Sequence, residues 1–183
     1  RIALVGQNGS GKTTLIRCLL GLYQFQGHIT LLGFDIIDNR EEALKSIAFV
    51  PQHPPALKNT VWELIELTIY LCDSNKQEIE NICCQLGLDL NFCKTLPFKA
   101  LSAGMKQKLI IALASARKPK LLIMDEPSAN LDPEARIVFL DLLSQLPKET
   151  SMILTSHRVD ELAVIIARLI ELDQGKIIIN DQF

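Results

Sequence analysis

Apolar residues follow two rhythms along the chain. Ile2-Ala3-Leu4-Val5 is a continuous apolar run closed by Gly6, which suits a strand buried on both faces. After a glycine-rich turn, Leu15, Ile16, Leu19 and Leu20 recur at helical spacing, predicting a helix over 13–20 that closes near Gly21. Segments 28–32 and 46–50 read as strands, the first stopped by Gly33. Strand-like runs return at 121–124 and 152–155, with helices predicted over 105–116, 133–145 and 159–166. Segments 168–172 and 176–179 flank Asp173-Gln174-Gly175 and predict a closing hairpin. Strands alternating with helices imply an α/β fold with a mostly parallel sheet flanked by helices.

The middle of the chain breaks this alternation. Pro51 and the Pro54-Pro55 pair interrupt the pattern. Thr60 can cap a helix over 61–71 with Glu63 in its first turn, and a second helix over 76–86 stops at Gly87. With no buried-strand run between them, residues 54–97 read as a helical subdomain inserted in a domain that spans 1–183. Trp62, Leu64, Ile65, Leu67 and Ile69 are apolar positions on it; packing inside the subdomain is the favoured role for most, and contact with a partner the alternative.

Composition narrows the classes. A chain of 183 residues with 48% hydrophobic content can fill one domain core. Nineteen basic against 21 acidic residues, a net charge of −2, give no electrostatic footprint for nucleic acid, and no nucleic-acid partner is expected. No apolar run reaches the roughly 18–20 residues that cross a bilayer, so the protein is expected to be soluble and to meet a membrane only through a partner. Five cysteines, an odd number without a C-x-x-C pair, read as free thiols in a reducing cytosol. The strand beginning directly after Arg1 suggests that upstream strands of the domain are missing from this sequence.

The turn after the first strand carries chemistry. Gly6-Gln7-Asn8-Gly9-Ser10-Gly11-Lys12-Thr13 fits G-x-x-x-x-G-K-[ST] in full, with Thr14 directly behind it. Glycines let the loop bend with its N–H groups turned toward a phosphate, and the helix that follows adds its positive dipole end. Lys12 supplies a cation for the β- and γ-phosphates, and the Thr13 hydroxyl can ligate Mg²⁺. A second candidate is the apolar run Leu121-Leu122-Ile123-Met124 ending in Asp125-Glu126-Pro127. Ligands sit off the carboxyl ends of parallel strands, which places Asp125 beside the phosphates and the metal. Glu126 then faces the space from which water attacks, as a carboxylate able to polarise it. Taken alone, the two acids read equally well as a solvated turn; the complete phosphate loop tips the balance.

Four further segments, in order, resemble the ABC ATPase family. Leu101-Ser102-Ala103-Gly104-Met105-Lys106-Gln107 is similar to its signature, usually L-S-G-G-Q. Gln52, after the strand at 46–50, resembles the Q-loop glutamine; Ser128-Ala129-Asn130-Leu131-Asp132 resembles the D-loop; His157 resembles the switch histidine. The resemblance covers nearly the whole chain and implies a P-loop NTPase fold with ATP and Mg²⁺ as cofactors. It implies catalytic roles for Glu126, His157 and Gln52, and metal contacts from Thr13, Gln52 and Asp125. Nucleotide contacts fall to Gly6, Gln7, Asn8, Gly9, Ser10, Gly11, Lys12, Thr13 and Thr14, and across a dimer to Ser102, Ala103 and Gly104. The implied assembly is a head-to-tail pair of such subunits, a homodimer by expectation, with a transmembrane permease as further partner. The expected location is cytoplasmic, peripheral on the inner face of the cell membrane.

The chain departs from the family pattern at Ala103 and Met105, which replace a usual Gly and Gln. The adenine-stacking aromatic residue of the family falls before residue 1, so none is assigned. The Met105 form and the compact stretch from Gln52 to the signature resemble exporter or ABC-2-type subunits, and 157–162 resembles ATPases of copper-enzyme (nitrous oxide reductase) maturation. The alternative job is that of a soluble ABC-type ATPase acting on ribosomes or nucleic acid. The repair and chromosome branch is disfavoured by the lack of a long heptad run or paired cysteines.

Overall fold

The structure, a computed structural model, describes residues 1–156 and 159–182. In chain order the elements are β1 (Ile2–Val5), α1 (Lys12–Leu19), β2 (Thr30–Leu31), β3 (Phe34–Asp35), α2 (Arg40–Lys45), β4 (Ile47–Val50), α3 (Val61–Cys72), α4 (Lys76–Gln85) and α5 (Leu90–Cys93). A 3₁₀ turn at Phe98–Ala100 leads into α6 (Ala103–Ala116), β5 (Leu121–Met124), α7 (Pro133–Gln145), β6 (Ser151–Thr155), α8 (Val159–Leu162), β7 (Arg168–Asp173) and β8 (Lys176–Gln182). Six strands form one sheet in the order β4-β5-β6-β1-β7-β8. β5, β6, β1 and β7 run parallel, and β8 returns antiparallel on β7. The expected α/β class with a mostly parallel sheet is therefore the class observed.

The chain divides into two compact units. One comprises residues 1–49, 120–126 and the stretch from Glu149 onward. Its β5 is buried at every position, as the unbroken Leu-Leu-Ile-Met run predicts for a central parallel strand. Ile16 of α1 and Leu20, its C-cap, pack with Leu31, Ile36, Ala43, Ile47, Leu121 and Ile123 into one core cluster. That packing anchors the helix whose first turn carries Lys12 and Thr13.

The other unit comprises 50–119 and 127–148. Here α4 packs against α3, α5 and α6. Thr60 caps α3 by accepting from the Glu63 N–H at 3.2 Å, while Glu63 accepts from the Thr60 N–H at 2.7 Å, a reciprocal box. Leu64 and Ile65 are buried, whereas Leu67 is exposed. Trp62 is tied within the unit: its indole donates to Glu66 at 2.7 Å and the Lys76 ammonium lies 4.5 Å from the ring centroid.

Three elements differ from the sequence expectation. The single strand expected at 28–32 is instead the short hairpin β2–β3, because Leu32 and Gly33 both take left-handed φ values, 53° and 88°, and reverse the chain. The helix expected over 159–166 stops at Leu162. Ile165 donates back three residues to the Leu162 carbonyl at 2.8 Å, and the β-branched run Val164-Ile165-Ile166 has low helix propensity. β8 extends to Gln182, past the apolar run, because its backbone ladder to β7 continues through Asn180, whose side chain accepts from Arg168 at 2.7 Å.

Candidate active site

The phosphate loop is shaped by its glycines. Gly6 (φ 141°), Gly9 (83°) and Gly11 (108°) all occupy the region that side chains rarely adopt. At Gly6 the reason is also steric, since a Cβ there would stand 2.2 Å from the Leu172 carbonyl oxygen. Ser10 donates its N–H to the Gln7 carbonyl at 3.1 Å, closing the turn, and its carbonyl accepts from Gly175 at 2.9 Å. The tip formed by Gln7, Asn8 and Gly9 is exposed, as is Thr14. α1 begins at Lys12, one residue earlier than the apolar spacing suggests, so the first helical N–H groups belong to the loop itself.

Lys12 is buried, and its ammonium donates to the carbonyls of Gly6 at 2.8 Å and Gln7 at 3.1 Å. The cation is thereby held inside the curve of the loop. The Ser10 hydroxyl is buried with no hydrogen-bond partner among the described residues, a donor available to an anion. Glycine backbone, helix start, enclosed ammonium and spare hydroxyl together fit a polyphosphate.

A chain of hydrogen bonds joins the carboxyl ends of the parallel strands. The Thr13 hydroxyl donates to Asp125 Oδ2 at 2.8 Å. The Thr155 hydroxyl, at the end of β6, donates to Asp125 Oδ1 at 2.8 Å and accepts from the Glu126 N–H at 2.7 Å. Asp125 is 2% exposed and Thr155 fully buried, so this carboxylate is fixed in place. Among the described residues no three His, Cys, Asp or Glu side chains cluster as a metal cage. Thr13 and Asp125 are hard oxygen donors suited to Mg²⁺, an ion that takes one or two protein ligands and fills its remaining positions with phosphate and water. Glu126 is buried and has a φ of 48°, unusual for a side-chain-bearing residue, a strain of about 1–3 kcal/mol of the kind that collects at working sites.

The structure thus brings the phosphate loop, Asp125 and Glu126 together in one unit. Thr155 belongs with them and was not singled out by sequence reasoning. The available signal was its position at the end of an apolar strand predicted to lie parallel to the one before Asp125. Gln52, half-buried, and Ser102, Ala103 and Gly104 belong to the other unit. Ser102 is the exposed N-cap of α6, accepting from the Met105 N–H at 3.2 Å, and Ala103, also exposed, is the first helical residue. His157 lies outside the described residues.

Comparison with known proteins decides the family. The sequence profile described as ABC transporter matches residues 1–129. The chain belongs to the ABC transporter family. Mouse "Phospholipid-transporting ATPase ABCA3" is 33% identical over 95% of the chain, which covers 10% of that protein. "Energy-coupling factor transporter ATP-binding protein EcfA2" of Caldanaerobacter subterraneus is 31% identical over 96% of the chain, which covers 65% of it. A solved structure titled "Structure of ATP binding subunit of ABC transporter" superposes with a TM-score of 0.88 at 25% identity, covering all of this chain and 78% of that one. This ABC transporter chain thus spans less than two thirds of either curated relative. Its fold is also that of a dimeric post-hydrolysis ATP-binding cassette, at a TM-score of 0.83 and 23% identity, covering 99% of this chain and 84% of that one. No helix among the described residues of this ABC transporter chain is long and apolar enough to cross a membrane.

Proposed function

We propose that the chain binds and hydrolyses ATP as one half of a head-to-tail dimer, and that the dimer drives transport through a separate membrane-spanning subunit. The observation that supports this most is the hydrogen-bonded line Thr13–Asp125–Thr155–Glu126 beside the phosphate loop. It ties Thr13, in the first turn of α1, to Asp125 and Glu126 just past β5 and to Thr155 at the end of β6, where ligands of parallel sheets lie. Lys12 and the loop N–H groups bind and orient the polyphosphate. Thr13 and Asp125 would hold Mg²⁺; the ion would neutralise phosphate charge. Glu126 accepts the proton of the attacking water, and His157 aligns that water. Ser102, Ala103 and Gly104, exposed or half-exposed at the start of α6, close on the nucleotide held by the second subunit.

The relatives' names support transport, and they include both a phospholipid transporter and an energy-coupling factor component. Within transporters we favour the exporter or ABC-2 type on the Met105 form of the signature. The narrower assignment to copper-enzyme maturation rests on 157–162 alone. Such a subunit sits on the cytoplasmic face of the membrane through its permease.

Two experiments test the reading. Lys12→Ala removes the cation from a polyanion site and is expected to weaken ATP binding by about tenfold or more; unchanged affinity would sink the assigned role. Purification of the full-length protein from membranes is expected to recover a membrane-spanning partner. Recovery with ribosomes or nucleic acid from the soluble fraction would overturn the transport assignment and leave the ATPase chemistry intact.

A further inference from the structure

In the proposed function residues 102–104, which start α6, meet the partner's nucleotide; residues 128–132, the segment that resembles the family's D-loop, lead into α7 of the same unit. One side chain joins them. Lys108 of α6 reaches Asp132, with Nζ 2.8 Å from Oδ2, and the lysine side chain is only 13% exposed. The other oxygen of the same carboxylate, Oδ1, accepts from the Ala135 N–H at 2.8 Å and caps α7. One oxygen of Asp132 therefore fixes its own helix while the other grips the signature helix. The Asp132 carboxyl is held below its ordinary range, first by the hydrogen bond from Lys108 and then by the Ala135 N–H.

The backbones are also close. A Cβ added at Gly104 would stand 3.0 Å from the Asn130 carbonyl oxygen, so the first turn of α6 nearly touches the loop. The loop itself is closed by the Leu131 N–H on the Ser128 carbonyl at 3.2 Å, and Arg136 donates to the Leu131 carbonyl at 3.4 Å. The Asp132 carboxylate thus gives the loop a direct polar attachment to α6.

Stability is a weak reason for this arrangement. Immobilising and largely desolvating a lysine opposes the pairing, and ion pairs with an exposed partner contribute little. Its distinctive effect is geometric. We infer that Lys108 is a positioning residue that holds residues 128–132 in register with residues 102–104, so that both segments meet the second subunit's nucleotide as one piece. The inference rests on the proposed function for the dimer and for what residues 102–104 do in it; the holding itself does not depend on it.

The test uses the full-length protein with Lys108→Met and Lys108→Arg. Backbone hydrogen exchange at residues 129–131, measured without nucleotide, reads the holding directly. Exchange there is expected to rise by about tenfold or more in Lys108→Met, as local opening becomes easier. The same variant is expected to lose about tenfold or more in kcat with KM for ATP within about twofold, because the interaction serves the closed dimer rather than initial binding. Lys108→Arg, which keeps a cation within reach of Asp132, is expected to restore both. Asp132→Asn is the second variant: asparagine caps a helix as aspartate does but gives Lys108 no charge, so it should reproduce Lys108→Met. Unchanged exchange in both Lys108→Met and Asp132→Asn would overturn the inference, and so would raised exchange with unchanged kcat. A wild-type protein without ATP turnover would instead overturn the proposed function, while the exchange result would still decide whether Lys108 holds the loop.

Discussion

Replacing Thr155 with valine removes one oxygen and almost no volume. That oxygen serves two neighbours, Asp125 Oδ1 at 2.8 Å and the Glu126 N–H at 2.7 Å. Thr155 is fully buried, and Asp125 and Glu126 are 2% and 7% exposed, so water does not readily take over either bond. A buried group that loses its partner costs about 1–3 kcal/mol, more when charged, which puts Thr155→Val near 2–5 kcal/mol. Thr155→Ser keeps the hydroxyl and loses a methyl, about 1 kcal/mol. Urea unfolding separates the two, because a loss of 2 kcal/mol at an ordinary slope moves the midpoint by roughly 1 M. Turnover gives a second readout: the valine variant should lose about tenfold or more in kcat, since Asp125 and the Glu126 backbone lose their shared anchor. If valine is no worse than serine in both assays, the hydroxyl does not organise the site and the reasoning fails.

Gly6→Ala drives a Cβ to 2.2 Å from the Leu172 carbonyl oxygen, whereas nothing lies within 4 Å of a Cβ at Gly9. Both suffer backbone strain of about 1–2 kcal/mol, so thermal unfolding should fall clearly further for Gly6→Ala than for Gly9→Ala; equal losses would refute the close approach. Burial pushes the Cys83 thiol up to about 12, and Cys93 is raised by the same cause. With Cys84 exposed and both of these fully buried, native-state alkylation at pH 8 should modify Cys84 and spare Cys83 and Cys93 until the protein unfolds. Because the folded value of Cys83 lies above its ordinary 9.0, its contribution to stability is complete below pH 9 and declines as pH rises from there toward 12.

The phosphate loop was legible because its chemistry is local: glycine angles, a lysine and a hydroxyl within eight consecutive residues. The apolar runs before Gly6 and Asp125 were legible because strands buried on both faces need continuous hydrophobicity. What escaped was either weakly patterned or long-range. α2 has only Ala43 buried, with Glu41 and Glu42 in its first turn and Lys45 3.6 Å from Glu41, so it offers no apolar stripe. The β2–β3 reversal depends on a left-handed Leu32, a residue that does not announce a turn. Thr155 and Lys108 act across gaps in sequence, on Asp125 and Asp132, and no spacing rule reveals such pairings. The apolar positions of α3 divided as helical geometry requires, with Leu64 and Ile65 inward and Leu67 outward.

The central claim is that Glu126 works on a nucleotide held between two copies of this site. Glu126→Gln keeps the size of the side chain and removes its basicity. In size-exclusion chromatography with ATP and Mg²⁺, the full-length variant is expected to bind ATP, accumulate as a dimer, and hydrolyse about a hundredfold more slowly or worse than the wild type. Hydrolysis at the wild-type rate, or no ATP-dependent dimer, would contradict the account.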